Sequence, residues 1–224
     1  MENDISLRDK KGFKITVIAI LAMLFFISFI LGLTKGTLEV EVKRIFEVIS
    51  KDDGSPERMV IWNIRLPRMI LAALVGINLA LSGAILQGVM KNPLADPSII
   101  GISSGAGLFG IIVLVVFPQY IKMVTIAAFM GAMLAASIIY LLSWKGGIKT
   151  IRVVLAGVAV SSLFAAGISG ILVFYSDRVH GALNFMNGSL SSRSWPEVWT
   201  ILPYTIIGFV LANIFADKLN ILIL

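Results

Sequence analysis

Six stretches of this chain carry no charged residue, and that pattern limits what the chain can fold into more than any other. They are residues 15–33, 69–90, 97–121, 123–144, 153–176 and 198–216. A helix needs about 20 apolar residues to cross a bilayer core. In hydrocarbon every backbone N–H and C=O must be satisfied within its own segment, so these runs predict helices. None alternates with a period of two over the length of a barrel strand. The expected fold is all-α, a polytopic transmembrane helix bundle of about six spans.

Composition agrees. The chain is 58% hydrophobic and 14% charged, where a globular chain is about a quarter charged. Without cysteine it has no disulfide framework and no thiolate metal centre. Its net charge of +6 sits in short segments between apolar runs. That is the placement of membrane flanks and not of a nucleic-acid face. Arg8, Lys10, Lys11 and Lys14 precede the first run as they would a signal peptide. The run is longer than a signal h-region and no A-x-A site follows Leu33, so it reads as a retained anchor.

With the N-terminus inside, the inner segments hold nine Lys and Arg and the outer ones ten. The positive-inside rule is thus nearly balanced. The short acid-free basic clusters, 8–14 and 145–152, fall on one side and favour a cytoplasmic N-terminus. Segment 34–68 then lies outside. Within it Leu38, Val42, Ile45, Phe46 and Ile49 recur at helical spacing and predict an amphipathic helix, on the membrane surface or against the bundle. Residues 51–56 read as an exposed turn.

Ala72, Gly76, Ala80, Ala84 and Gly88 form a small-residue ridge in the second run, and Gly157, Ser161, Ala165 and Ser169 form one in the fifth. In lipid such ridges let backbones approach closely, so both are expected to be packing seams. Asn78, Gln87 and Asn213 are strongly polar and lie within runs, where they fit interhelical hydrogen bonds or a transport pathway. The runs hold no carboxylate, lysine or arginine of the kind that couples ion flow in secondary transporters. Residues 105–110 fit G-x-G-x-x-G, but no acidic residue lies between Asp96 and Asp177, so the nucleotide reading fails. No Walker sequence G-x-x-x-x-G-K-[ST] is present. His180, the one histidine, lacks the company of a metal site. No catalytic residue, cofactor or metal ligand is expected.

Four segments recur in order: R-L-P-R at 65–68, S-G-A-x-x-Q at 82–87, N-P-L-A-x-P at 92–97 and G-x-S-x-G-A-G at 101–107. Together they resemble the FecCD-type permeases, membrane subunits of ABC importers for ferric siderophores, haem and cobalamin. The resemblance implies a second permease subunit, identical or not, two cytoplasmic ABC ATPases, an extracytoplasmic substrate-binding protein and a metal-chelate substrate. It implies a bacterial inner membrane and a cytoplasmic N-terminus. Arg65 and Arg68 match arginines that face outward and pair with glutamates of the binding protein. Thr150 and Ile151 match the turn that narrows the cytoplasmic end of the pathway, with isoleucine where a small hydroxyl residue is familiar.

Such permeases carry about ten spans of about 20 residues, and six are present here. The resemblance therefore implies a truncated or partial chain. On that reading residues 1–224 insert into a membrane without recruiting an ATPase or driving uptake. A secondary transporter and a non-transporting fragment are the alternative functions.

Overall fold

The computed structural model describes residues 11–51, 53–144 and 149–223, and among these every regular element is helical. Arg8, Lys10, Asp52 and Lys145, used above for orientation and for the turn, lie outside the described residues. Helix α1 is Lys11–Thr34 and α2 is Val42–Ser50. Helix α3, Pro56–Val60, runs through a π-helical stretch, Ile61–Arg65, into α4, Leu66–Met90. Then come α5 (Pro97–Ile100) and α6 (Ile102–Ile111), the latter extended by a second π-helical stretch, Ile112–Val116. A 3-10 stretch, Pro118–Met123, leads into α7 (Val124–Ser143). Helices α8 (Thr150–Phe174), α9 (Val179–Asn187) and α10 (Trp195–Ile223) complete the order.

Among the described residues, five helical segments are long and apolar enough to cross a membrane: Lys11–Thr34, Pro56–Met90, Pro118–Ser143, Thr150–Phe174 and Trp195–Leu219. The third expected span is interrupted. Asp96 caps α5 by accepting from the Ser98 amide, and Gly101 then breaks the helix at φ +92°, a left-handed conformation suited to glycine. Beyond the break, Ile102–Val116 is a shorter apolar helix.

Contacts group the described residues into two compact units, 1–75 with 190–203 and 76–189 with 204–224. In the first, Leu33, Val40, Ile45, Val48 and Ile61 form the core. Helix α1 joins it through its last turns, since Leu33 is its one buried residue. Helix α2 is amphipathic in a different register from the expected one. Ile45 and Val48 are buried, whereas Val42 and Phe46 are exposed, Phe46 at 67%. The core stripe is centred between Ile45 and Val48, one helical step round from the predicted face.

The second unit is built on α6, α7 and α8. A Cβ on Gly105 would collide with the Gly131 carbonyl, and one on Gly131 with the Gly105 carbonyl. The backbones of α6 and α7 therefore touch. Gly157 of α8 meets the Ile100 carbonyl in the same way, beside Gly101. Met90, Ile100, Ala135, Ile139, Val153, Val160 and Phe164 fill the space between.

Small residues thus make the crossings, but the expected ridges are only partly used. On α4, Gly76, Ala80 and Ala84 are exposed and a Cβ on Gly76 would meet nothing within 4 Å. On α8, Ala165 and Ser169 are exposed, and the buried face is Val153, Gly157, Val160, Phe164 and Ile168. The two seams differ in which face a neighbour takes: among the described residues the Ile100 backbone meets Gly157, whereas α10 reaches α4 at Asn78 and Leu81 and leaves Gly76, Ala80 and Ala84 exposed.

Gly105→Leu should therefore lower the stability of the detergent-solubilised protein by about 3 kcal/mol or more, as overpacking against backbone has no rotamer escape. Gly76→Leu should melt within about 0.5 kcal/mol of the parent. Equal melting curves for the two variants would show that the α6–α7 crossing is not tight.

Candidate functional site

In the first unit the π-helical stretch decides where the R-L-P-R side chains go. A π turn closes one residue later than an α turn, which rotates everything after it. Leu66 accordingly donates its amide to the Ile61 carbonyl. Arg65 turns inward and is 8% exposed. Its Nη1 donates to the carbonyls of Leu33 (2.6 Å) and Thr34 (3.1 Å), and its Nη2 to that of Leu38. Leu33 and Thr34 belong to the end of α1, where the last four carbonyls lack helical partners and the helix dipole favours a cation. The expected outward-facing guanidinium of Arg65 is thus engaged inside the protein. Arg68 is half-buried, and its Nε is buried without an acceptor among the described residues.

Arg58 repeats the theme, donating to the carbonyls of Val48 and Lys51 (2.8 Å) at the end of α2. It also lies 5.3 Å above the Trp62 ring. Trp62 packs on Trp195 at 5.3 Å, and Trp195 on Trp199 at 6.1 Å. The Trp195 indole N–H donates to the Trp62 carbonyl (2.8 Å) inside the π-helical stretch. At the start of α10 the Ser194 amide donates to the Glu197 carboxylate (2.9 Å), as in one half of a capping box. Asp53 accepts from the Ser55 hydroxyl and amide and pairs with Arg44. The Ser55 bonds first, and the Arg44 charge after them, hold its carboxyl below the usual carboxylate range.

In the second unit the turn after α4 is built by its own polar residues. Lys91 adopts a left-handed φ of 48°, and the Asn92 side chain accepts from the Leu94 amide (2.9 Å). Thr150 donates its hydroxyl to the Met90 carbonyl (3.0 Å), joining the last turn of α4 to the first of α8. Ile151 beside it is 68% exposed. Of the polar candidates, Asn78 donates to Thr205 of α10 (2.7 Å), and Thr205 is buried. Asn213 bonds the Phe209 carbonyl of its own helix (2.8 Å), and Gln87 is exposed. Arg178 donates to the Val115 carbonyl (2.7 Å) and covers the end of the second π-helical stretch. His180 is exposed on α9. Among the described residues no cluster of His, Asp, Glu or Cys could hold a metal ion.

The G-x-S-x-G-A-G segment owes its glycines to packing: Gly101 makes the helix break, and Gly105 the α6–α7 contact. Sequence patterning alone does not single out Arg58, Arg178 or the tryptophans. A partial signal is present, since Trp195 and Trp199 are four apart behind an S-x-x-E box and aromatic residues gather at membrane interfaces.

The model of the FecCD transport family matches residues 23–224. The chain is 30% identical to the Fe(3+)-citrate import system permease protein YfmD of Bacillus subtilis, over 97% of this chain and 65% of that protein. It is 38% identical to the cobalamin import system permease protein BtuC of Halobacterium salinarum, over 76% of this chain and 47% of that protein. A solved chain described as an inward-facing conformation of a metal-chelate type ABC transporter superposes with a TM-score of 0.77 at 25% identity, covering 92% of this chain and 64% of that one. The chain thus spans less than two thirds of the length of these relatives. With its charge-free helices, its glycine crossings and a family match over nearly its whole length, the chain belongs to the FecCD transport family.

Proposed function

We propose that this chain is the transmembrane permease subunit of an ABC importer and forms part of the pathway for an iron–siderophore or related metal chelate. The observation that carries the reading is its similarity, along 97% of its length, to a permease of Fe(3+)-citrate import. The chemistry is consistent with it. The charge-free runs offer no carboxylate, lysine or arginine to couple ion flow, so the driving energy comes from another subunit.

The partners are a second permease subunit, identical or related, cytoplasmic ABC ATPases and an extracytoplasmic substrate-binding protein. The protein sits in a bacterial inner membrane with its N-terminus in the cytoplasm. Segment 34–68 and the tryptophan stack then lie outside, and the 91–96 turn and the start of α8 inside. In this orientation Ile151 is the cytoplasmic gate residue. Thr150 sets its position by holding the first turn of α8 to the Met90 carbonyl. Asn78 serves α4–α10 contact through Thr205.

Two outcomes are expected. The gene carrying this chain, expressed with its ATPase and binding protein in cells lacking their own chelate importers, should support radio-iron uptake from ferric citrate or ferric hydroxamate. That uptake should cease when the ATPase Walker lysine is replaced. Uptake that persists with the inactive ATPase would contradict the reading. Separately, Thr150→Val should cost about 1 kcal/mol of stability from the lost hydrogen bond and reduce uptake, and Thr150→Ser should restore both. A valine variant equal to the parent in both measurements would remove Thr150 from the gate.

A further inference from the structure

Helix α2 carries more apolar surface than its own unit covers. At about 100° per residue, Val48, Ile45, Ile49, Val42 and Phe46 follow one another round its circumference over about 160°. Lys43, Arg44, Glu47 and Ser50 occupy the rest. The core takes the Val48 and Ile45 edge of that arc, with Ile49 half-buried beside it. The other edge, Val42 and Phe46, is exposed at 44% and 67%. A stripe of about 100° is enough to dock a helix on a core, so the second edge is left over.

Depth identifies what covers it. The cluster that holds α2 includes Leu33, with Phe29 packed against it, both from the last two turns of α1. Helix α1 has 24 residues. It therefore rises about 36 Å, against about 30 Å of hydrocarbon. Its charge-free run ends at Leu33, and the next charged residue is Lys35. The cluster thus sits where hydrocarbon gives way to headgroups, on a helix whose sides, Ile27, Ile30 and Leu31 included, are exposed as lipid-facing surface.

The tryptophans mark the same level independently. Arg58 donates to the Val48 and Lys51 carbonyls at the end of α2 and lies 5.3 Å over Trp62, the first ring of the stack. The last ring, Trp199, is 63% exposed, and tryptophan gathers at headgroup depth. Charges on and beside α2 pair within the segment, Lys35 with Glu39 and Arg44 with Glu47 and Asp53, which suits a layer of mixed-charge headgroups.

We propose that α2 is a membrane-surface anchor held by two media at once. Its Val48 and Ile45 edge belongs to the protein core, and its Val42 and Phe46 edge enters the bilayer between headgroups and acyl chains. The leaflet is the outer one if the N-terminus is cytoplasmic, as proposed above, whereas the lipid contact itself does not rest on that orientation.

The chain lacks cysteine, so single cysteines carry a nitroxide label without background. Val42→Cys, Phe46→Cys, Glu47→Cys and Leu21→Cys, the last midway along α1, are labelled in the full protein and reconstituted in phosphatidylethanolamine–phosphatidylglycerol vesicles. Collision of each label with oxygen, which dissolves in lipid, is compared with collision with a water-soluble nickel chelate. The oxygen-to-nickel ratio at positions 42 and 46 should be at least about threefold that at 47 and below that at 21, corresponding to a depth of about 5–10 Å. A ratio at 46 equal to that at 47 would overturn the proposal, because the edge would face water. Low collision with both reagents at 46 would also overturn it and show a protein cover, from a second copy or another segment. In spheroplasts, Glu47→Cys should react with a membrane-impermeant maleimide. Reaction only after permeabilisation would contradict the outer leaflet and the proposed orientation, while the collision ratios still decide the lipid contact.

Discussion

The carbonyls at the end of each membrane helix are the constraint on which much of this structure depends. An α-helix leaves its last four C=O groups without intrahelical partners. Leaving such a group unsatisfied away from water costs on the order of several kcal/mol. Here side chains from elsewhere in the chain supply the donors. Arg65 serves the end of α1, Arg58 the end of α2 and Arg178 the second π-helical stretch. Thr150 serves the end of α4, and Trp195 an opened carbonyl in the first π-helical stretch. Three of these donors are arginines: Arg65 reaches three carbonyls, Arg58 two and Arg178 one, and each stays charged.

Between their ends the helices hold together by a different means. Lipid supplies no hydrophobic drive for one helix to seek another, so association comes from close contact. The Gly105–Gly131 and Gly157–Ile100 crossings provide it within the second unit. Much of the remaining apolar surface, including nearly all of α1, stays exposed as a lipid-facing surface should. The N-P-L-A-x-P and G-x-S-x-G-A-G segments mark these structural demands. They supply a helix break at Gly101, a backbone contact at Gly105 and a self-capped turn at Asn92.

Much of this is legible in the sequence because its signals are local. Charge-free length locates the spans, and proline, glycine and Asx chemistry locate the turn at 91–97. The less legible features depend on rotation about a helix axis. Arg65, expected to face outward, is the last residue of the first π-helical stretch and lies buried, and a π turn leaves no compositional trace. The same difficulty affects α2, where Val48 and not Phe46 faces the core. The small-residue ridge of α4 is plain in the sequence, but among the described residues Gly76, Ala80 and Ala84 stay exposed. Ridge periodicity shows that a face is smooth and does not show what covers it.

Hydrogen–deuterium exchange in lipid nanodiscs tests the capping account most directly, on the parent and on Arg58→Ala, Arg65→Ala and Arg178→Ala. Each substitution should accelerate exchange by about an order of magnitude or more in the turn its arginine covers, corresponding to loss of about 1.4 kcal/mol of local protection. The affected segments should be 48–51 for Arg58, 31–38 for Arg65 and 112–117 for Arg178, with α7 unchanged in all three. Unaltered exchange in all three turns would contradict the account and mean that water or other groups satisfy those carbonyls.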